Sequence, residues 1–432
     1  KSFEKKYFCL MIRNLKTLLE TQIHHQTSAK RSMTTTMKKN YNNVLSKKVN
    51  ALGDTIWSIF TPLAQKHQSV NLGQGFPDFD PPKVTLESLK NREKGDHQYT
   101  RPMGDLLLVK SLETYYNKGN EFGKDIDGMK EICVTAGATG ALYTVAQTLV
   151  NPGDEVIIIE PFYDSYSVDV EMAGGKPVYV PLRAPTDKNE TTDANDWKID
   201  MEELKKAITK KTKAIMINTP HNPTGKVFTK DELQDIATLA IEHDIIVISD
   251  EVYDKLVFPS SPVPHVRIAS LPGMFERTIT ICSAGKSFVC TGWKIGWIVA
   301  PEAIAKAAGF YGQYMSFCVS TPLQRAVADM VDQLDDLSKE MSAKMEENYK
   351  QTMDTIIPSW MHTVTPHAGY FVMARTDSID FPYTPNRENP TPLACYPTRD
   401  FQFAEWIPAT VGVTTIPPSA FYSPEHMHLA EN

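Results

Sequence analysis

A chain of 432 residues, 41% hydrophobic and 22% charged, has the material for two domains around a sizeable core, and such a composition excludes a disordered or fibrous protein. Its formal net charge of -7 excludes a general nucleic-acid surface, and no apolar run approaches the ~20 residues of a membrane-spanning helix. A small molecule is the partner class that remains.

The chain opens on Lys1, with Met11, Met33 and Met37 as candidate starts. Between Met11 and Asn50 there are eight Lys/Arg residues and one acid, Glu20, interspersed with Ser and Thr, a pattern that resembles a mitochondrial transit peptide, with an untranslated or disordered leader as the alternative. A start at Met33 or Met37 instead predicts a cytosolic protein. Secretion is not expected, because the apolar run from Tyr7 to Ile12 is too short for a signal-peptide core. Residues 1–43 are therefore read as a basic leader, with the folded part beginning near Val44. Six cysteines (Cys9, Cys133, Cys282, Cys290, Cys318 and Cys395) form no CxxC pair. Neither a zinc site nor a disulfide framework is expected; the pattern fits reduced thiols of an intracellular compartment.

The first loop of the folded part runs from Asn71 to Phe79 (NLGQGFPDF). Gly73 and Gly75 open a dinucleotide fingerprint, but its third glycine position holds Asp78, so they are read as places where the backbone approaches a ligand. His97 to Gly104 is a polar turn. From Glu131 the pattern becomes regular, with strands over Glu131–Thr135, Glu155–Ile159 and Val178–Leu182 and a helix over Gly137–Val150. Gly137-Ala138-Thr139-Gly140 then sits at a helix N-terminus, where exposed N–H groups and the helix dipole favour phosphate.

Lys213–Asn218 predicts another strand, leading to His221-Asn222-Pro223-Thr224-Gly225. Thr229-Lys230-Asp231-Glu232 is a capping box that opens a helix to about His243. The buried strand Ile245–Ser249 follows and ends in Asp250-Glu251-Val252-Tyr253. This is a βαβ unit, so Asn222 and Asp250 are expected at the same carboxyl edge of a mostly parallel sheet, where α/β folds hold ligands. A further apolar run, Thr278–Ile281, delivers Ser283, Lys286 and Lys294 to the same edge. Gly285-Lys286-Ser287 matches the end of a P-loop, but that motif needs a glycine where Thr280 stands. The layout fits one lysine doing covalent chemistry beside a bound phosphate, its amine activated by partial desolvation and a neighbouring cation.

Together NLGQGFPDF, Asn222–Gly225 (NPTG), Ser249–Tyr253 (SDEVY) and Ser283–Trp297 resemble the fold-type I aminotransferases that use pyridoxal 5'-phosphate. The subgroup resembled is the kynurenine aminotransferase and glutamine transaminase K family, which includes the cysteine-S-conjugate β-lyases. The resemblance runs from about Val44 to the end of the chain. It implies an α/β fold like that of aspartate aminotransferase. A large cofactor domain is expected over residues 82–324, and a smaller α+β domain from 44–81 and 325–432.

The same resemblance implies that Lys286 forms the Schiff base and moves the substrate proton, and that Asp250 holds the ring nitrogen protonated. Tyr253 and Asn222 would bind the ring's phenolate oxygen, and Phe162 would stack on the ring. Ser283, Lys294 and the N–H groups of Gly137, Ala138 and Thr139 would hold the phosphate, joined by Tyr99 from a second subunit of a homodimer. Trp57, Gly75, Tyr99, Asn222 and Phe317 resemble the substrate pocket, and no metal is implied. The implied reaction is transfer of an amino group from kynurenine, glutamine or another bulky, aromatic or sulfur-bearing amino acid to a 2-oxo acid. β-Elimination from cysteine S-conjugates is the alternative. Members of the family continue past the segment resembling Thr410–Asn432 into a strand bearing the arginine that binds the substrate carboxylate, so a truncated, weakly active cofactor-binding protein is a third expectation. Arg375 and Arg399, the nearest upstream arginines, do not match that position.

Overall fold

The computed structural model describes residues 44–185, 191–355, 357, 361–385, 388 and 398–430. The basic leader, the candidate start methionines, Cys9 and Cys395 lie outside them. The chain separates into two units, residues 1–53 and 54–432. In the first, a short helix, Lys47–Ala51, is capped by the Ser46 side chain. Everything that follows belongs to the second. Among the described residues no helix is long and apolar enough to cross a membrane.

The second unit is built on an eight-stranded sheet. Its strands are β1 (Ile132–Thr135), β2 (Glu155–Glu160), β3 (Lys176–Arg183), β4 (Lys198–Ile199), β5 (Thr212–Asn218), β6 (Ile246–Asp250), β7 (Thr278–Ser283) and β8 (Gly296–Val299). The spatial order is β1-β8-β7-β6-β5-β2-β3-β4. The neighbours β7, β6, β5, β2 and β3 pair in parallel, whereas β8 is antiparallel to both β1 and β7, and β4 to β3. Six strands therefore present Thr135, Glu160, Asn218, Asp250, Ser283 and Gly296 at one edge. The expected strands and the expected α/β architecture are present.

Both faces of the sheet are covered, which is why β2, β5 and β6 read as unbroken apolar runs. Alternation within those runs assigns the faces. Val156, Ile158, Ala214, Met216 and Ile248 belong to one core, with α1 (Gly137–Leu149) and α2 (Ser165–Ala173) packed on it. Ile157, Ile159, Ile215, Ile217 and Val247 belong to the other, beneath α3 (Lys230–Glu242). The capping box at the start of α3 is formed as expected: Thr229 Oγ1 accepts from Glu232 N, and Glu232 accepts from Thr229 N. Glu232 also binds Lys226 Nζ (2.9 Å), whose side chain is wholly buried.

Near the ends of this unit, the helix Ile56–His67 packs Ile56 and Phe60 against Phe401 and Ala404 of the helix Arg399–Thr410. Val70–Asn71 pairs in parallel with Val413–Thr414. That pairing anchors the loop beginning at Asn71, and Phe421 O accepts from Phe162 N (2.8 Å) just beyond β2.

Candidate active site

Lys286 lies in a single helical turn, Ala284–Ser287, immediately after β7. Its Nζ donates to Gly75 O (2.5 Å) and lies 5.0 Å from the ring centre of Tyr370 and 5.4 Å from that of Tyr253. Part of the side chain remains accessible, but its ammonium end lies among protein groups. Burial holds its pKa down at about 8, assisted by Lys294, while Asp250 pulls the other way. A Cβ at Gly75 would come 2.5 Å from the Phe371 ring, so the absence of a side chain lets the backbone carrying that carbonyl pass close to Phe371.

Asp250 ends β6 on the face continued from Ile248, toward α2. Its Oδ2 accepts from Tyr166 Oη (2.6 Å) and its Oδ1 from Val252 N (3.2 Å). Burial raises its pKa to about 6, and both hydrogen bonds oppose that rise. The backbone beneath is fixed, since Asp250 O accepts from Asn218 Nδ2 (2.9 Å) and Thr219 N (3.0 Å). Tyr253 is buried, with its phenol pushed well above its ordinary pKa by burial, then by Tyr370 and Asp250. Asn222 is half-buried, and its backbone N–H donates to Asn218 Oδ1 (2.6 Å).

Where β1 turns into α1, Ala136 provides no side-chain cap, so the first N–H groups of the helix are left for another acceptor. Gly137 takes φ +71°, and a Cβ on it would lie 3.2 Å from Lys294 Cε and 3.4 Å from Lys294 Nζ. A Cβ on Gly296 would lie 2.6 Å from Gly137 C and 2.8 Å from Ala138 N. Lys294, itself left-handed at φ 53°, is thus held over the start of α1, and Ser283 starts the turn that carries Lys286. Uncapped N–H groups and a lysine meet here, with Ser283 paired to Gly296 beside them, a donor set that an anion would satisfy. The Tyr370 ring lies 5.0 Å from the Lys286 ammonium, and its buried hydroxyl finds no hydrogen-bond partner among the described residues. A bound polar ring between these groups fits this donor set.

The structure departs from the sequence expectation at Phe162. That ring stacks on Tyr179 (centroids 5.5 Å apart, planes 18° apart) in the core. The next residue, Tyr163, is the aromatic brought to the Thr139 side chain and into electrostatic reach of Asp250. Successive residues leaving a strand point to opposite sides, so the choice between them rests on the turn after Glu160. Sequence reading also missed Tyr166, 84 residues from its partner Asp250, and Tyr370.

The expected substrate residues do not all gather in one place. Trp57 Nε1 donates to Asp164 Oδ2 (3.0 Å), and Gly75 touches Lys286. Tyr99 and Phe317 instead meet edge-to-face (5.0 Å) on the surface, Tyr99 being 83% exposed. Arg399 donates to Thr376 O (2.8 Å) and Ile379 O (2.7 Å), and Arg375 pairs with Asp377. The four cysteines among the described residues are free thiols, and no cluster there has metal-ligand geometry.

Behind the site, Glu251 is wholly buried and accepts from Arg267 Nη1 (2.5 Å) and Ser249 Oγ (2.8 Å), with His265 Nε2 3.0 Å away. Arg267 also binds Asp254 (2.6 Å) and Glu121 (2.7 Å).

Known proteins share this architecture. The family profile described as aminotransferase class I and II matches residues 67–428. The kynurenine–oxoglutarate transaminase of Dictyostelium discoideum is 41% identical over 418 residues, covering 94% of this chain and 93% of the relative. Kynurenine–oxoglutarate transaminase 3 of Homo sapiens is 39% identical over 425 residues, covering 95% and 88%. Among solved structures, Bna3p of Saccharomyces cerevisiae superposes with a TM-score of 0.82 at 33% identity, over 90% of this chain and 93% of that one.

Proposed function

The chain belongs to the class I and II aminotransferases, and on that premise we propose that it transfers the amino group of kynurenine, glutamine or another bulky aromatic or sulfur-bearing amino acid to a 2-oxo acid. The observation that carries the reading is Lys286 itself, a strand-end lysine with a lowered pKa, set among Asp250, Tyr253 and the uncapped start of α1. The named relatives are transaminases, which favours amino transfer over β-elimination from cysteine S-conjugates.

Pyridoxal 5'-phosphate, the cofactor of this family, supplies when bound an aldehyde that captures amines and a ring that accepts electrons. The chain's own residues do the rest. With a pKa of about 8, a useful fraction of Lys286 is neutral near neutral pH, so its amine would condense with that aldehyde with loss of water and, once displaced by the substrate amine, would take the proton from the substrate α-carbon. Asp250 lies where a carboxylate would hold a proton on the ring nitrogen. Tyr253 and Asn222 would bind the phenolate oxygen, and Tyr163 would offer the aromatic face that sequence reading assigned to Phe162. The N–H groups of Gly137, Ala138 and Thr139, with Ser283 and Lys294, would bind the phosphate. Trp57 and Gly75 would line the substrate side.

Tyr99 meets Phe317, and Phe310, Tyr314 and Met315 are exposed on the helix that Phe317 closes, Tyr314 being 90% exposed. Apolar groups so exposed favour a second copy of the chain as their cover, with Tyr99 reaching the phosphate of the other subunit and Phe317 its substrate. The test combines purified protein with cofactor, kynurenine and 2-oxoglutarate and measures glutamate formation, alongside the sedimentation coefficient. Glutamate formation by a dimer is the expected result. Cofactor binding without glutamate formation from any bulky amino acid would overturn the transaminase reading, and an active monomer would overturn the role of Tyr99.

A further inference from the structure

Asp250 is the residue on which the electron-accepting power of the ring depends, so what holds Asp250 matters. Its main chain is anchored by two hydrogen bonds to its carbonyl oxygen and by pairing with Asn218, which leaves rotation of the carboxylate as its main freedom. One carboxylate oxygen receives a backbone N–H from two residues along the chain. The other receives the Tyr166 hydroxyl at 2.6 Å, and Tyr166 comes from a different strand-to-helix connection, in the first turn of α2. Tyr166 is 2% exposed and Asp250 4% exposed. Asp250 is the hydroxyl's one hydrogen-bond partner among the described residues. Burial, reinforced by the neighbouring carboxylate, pushes the phenol well above its ordinary pKa, so the proton stays on the tyrosine oxygen and Tyr166 is the donor.

We propose that Tyr166 is a positioning residue for the transamination reaction: its hydroxyl orients the Asp250 carboxylate and makes it the weaker base, so that the proton between Asp250 and the cofactor ring nitrogen stays on the nitrogen. The inference rests on the aminotransferase reading. Its physical basis is that a hydrogen bond donated to the charged form of a carboxylate lowers the affinity of that carboxylate for a proton. Burial alone works the other way and would draw the proton onto Asp250, leaving a neutral ring with less capacity to accept electrons. A phenylalanine at 166 would fill the same space but leave burial unopposed on that oxygen. The two tyrosines of this turn thus divide the work: Tyr163 faces the Thr139 end, and Tyr166, edge-on to it at 5.8 Å, holds Asp250.

The experiment compares the cofactor-loaded protein with its Tyr166→Phe variant. Borohydride reduction of the unsubstituted protein must first yield the Lys286–cofactor bond; if it does not, the aminotransferase reading fails before Tyr166 is judged. Given that bond, two signals report on the ring nitrogen without measuring turnover. These are the ¹⁵N chemical shift of cofactor labelled at the ring nitrogen, and the pH midpoint of the visible absorbance of the lysine-bound cofactor. In Tyr166→Phe the nitrogen signal should move toward that of neutral pyridine, and the midpoint should rise by about one pH unit, since a ring that has lost its charge withdraws fewer electrons from the linkage. Replacing Tyr166 by a fluorinated tyrosine, which donates a stronger hydrogen bond while keeping the shape, should lower the midpoint. This second variant covers the case in which Tyr166→Phe does not fold. Unchanged nitrogen shift and midpoint in a folded variant, even one that melts earlier, would show Tyr166 to be packing alone and overturn the proposal.

Discussion

Asp250 and Glu251 are adjacent carboxylates at the end of one buried strand, yet their surroundings assign them opposite tasks. Asp250, on the α2 side, meets a phenol and a backbone N–H, and burial raises its pKa to about 6. Glu251 is equally buried, but Arg267, with His265 and Ser249, outweighs burial and holds its carboxyl below the usual range. Arg267 in turn gathers Asp254 and Glu121. Neutral donors leave a buried acid poised to share a proton with a ligand, whereas a guanidinium commits it to the scaffold. The contrast sets an acid held by neutral donors on one side of the strand against an acid held by a guanidinium on the other, and the proposed reaction uses the first.

The largest effect should come from the chemical side. Lys286→Ala removes the one group among the described residues to which the proposed reaction gives both the bond to the cofactor and the movement of the substrate proton, so turnover should fall by roughly five to six powers of ten. The visible absorbance of the bound cofactor should be lost with it. A borohydride-reducible link in Lys286→Ala would transfer the role to another lysine.

The adjacent acids provide the sharper comparison. Asp250→Asn should keep the cofactor and lose no stability, but lower turnover by one to several powers of ten, consistent with about 2 to 5 kcal/mol for one partner of a buried charged contact. Glu251→Gln leaves Arg267 short of a carboxylate and should reduce stability by about 3 to 5 kcal/mol, with turnover per folded molecule little changed. Denaturant midpoints and steady-state kinetics on both variants test the division. A Glu251→Gln protein of full stability and lost turnover would erase the distinction.

The smallest effect is a difference in the sign of pH dependence, read by denaturation of the cofactor-free protein. Burial raises the Glu121 carboxyl, but Arg267 and Lys255 more than reverse this and bring its pKa to about 2, from an ordinary 4.5. Its folded pKa is depressed, so its contribution of about 3 kcal/mol is present above pH 4.5 and is lost as pH falls toward 2. Asp250 behaves oppositely: with a raised pKa, its contribution is complete below 3.8 and is lost as pH rises through about 6. Glu121→Gln should flatten the acid limb, and Asp250→Asn the limb between pH 4 and 7. A common response of both variants would mean that one network governs both sides.

The strand-end residues were legible because each depends on signals a few positions away. Thr229 and Glu232 identify a helix start by themselves, and apolar runs such as Ile245–Ser249 show where a buried strand ends and so where Asp250 emerges. Lys286, Ser283 and Lys294 follow from the run Thr278–Ile281 in the same way. The choice of Tyr163 over Phe162 was not legible, because it turns on the direction of one side chain after the strand. Nor was the surface meeting of Tyr99 with Phe317, which are 218 positions apart.

What the sequence determined by itself was therefore local: which segments become strands, where they end, and which chemical groups stand at those ends. The tertiary structure alone decided the long-range partners. It brought Tyr166 to Asp250 across 84 residues, Gly75 to Lys286 across 211, and Glu121 to Arg267 across 146. The physical reason is that periodicity and capping act between neighbours in the chain, whereas these contacts depend on how distant segments pack: the order β6-β5-β2 sets the turn after β2, which carries Tyr166, two strands from Asp250, and the pairing of Val70–Asn71 with Val413–Thr414 anchors the loop that carries Gly75.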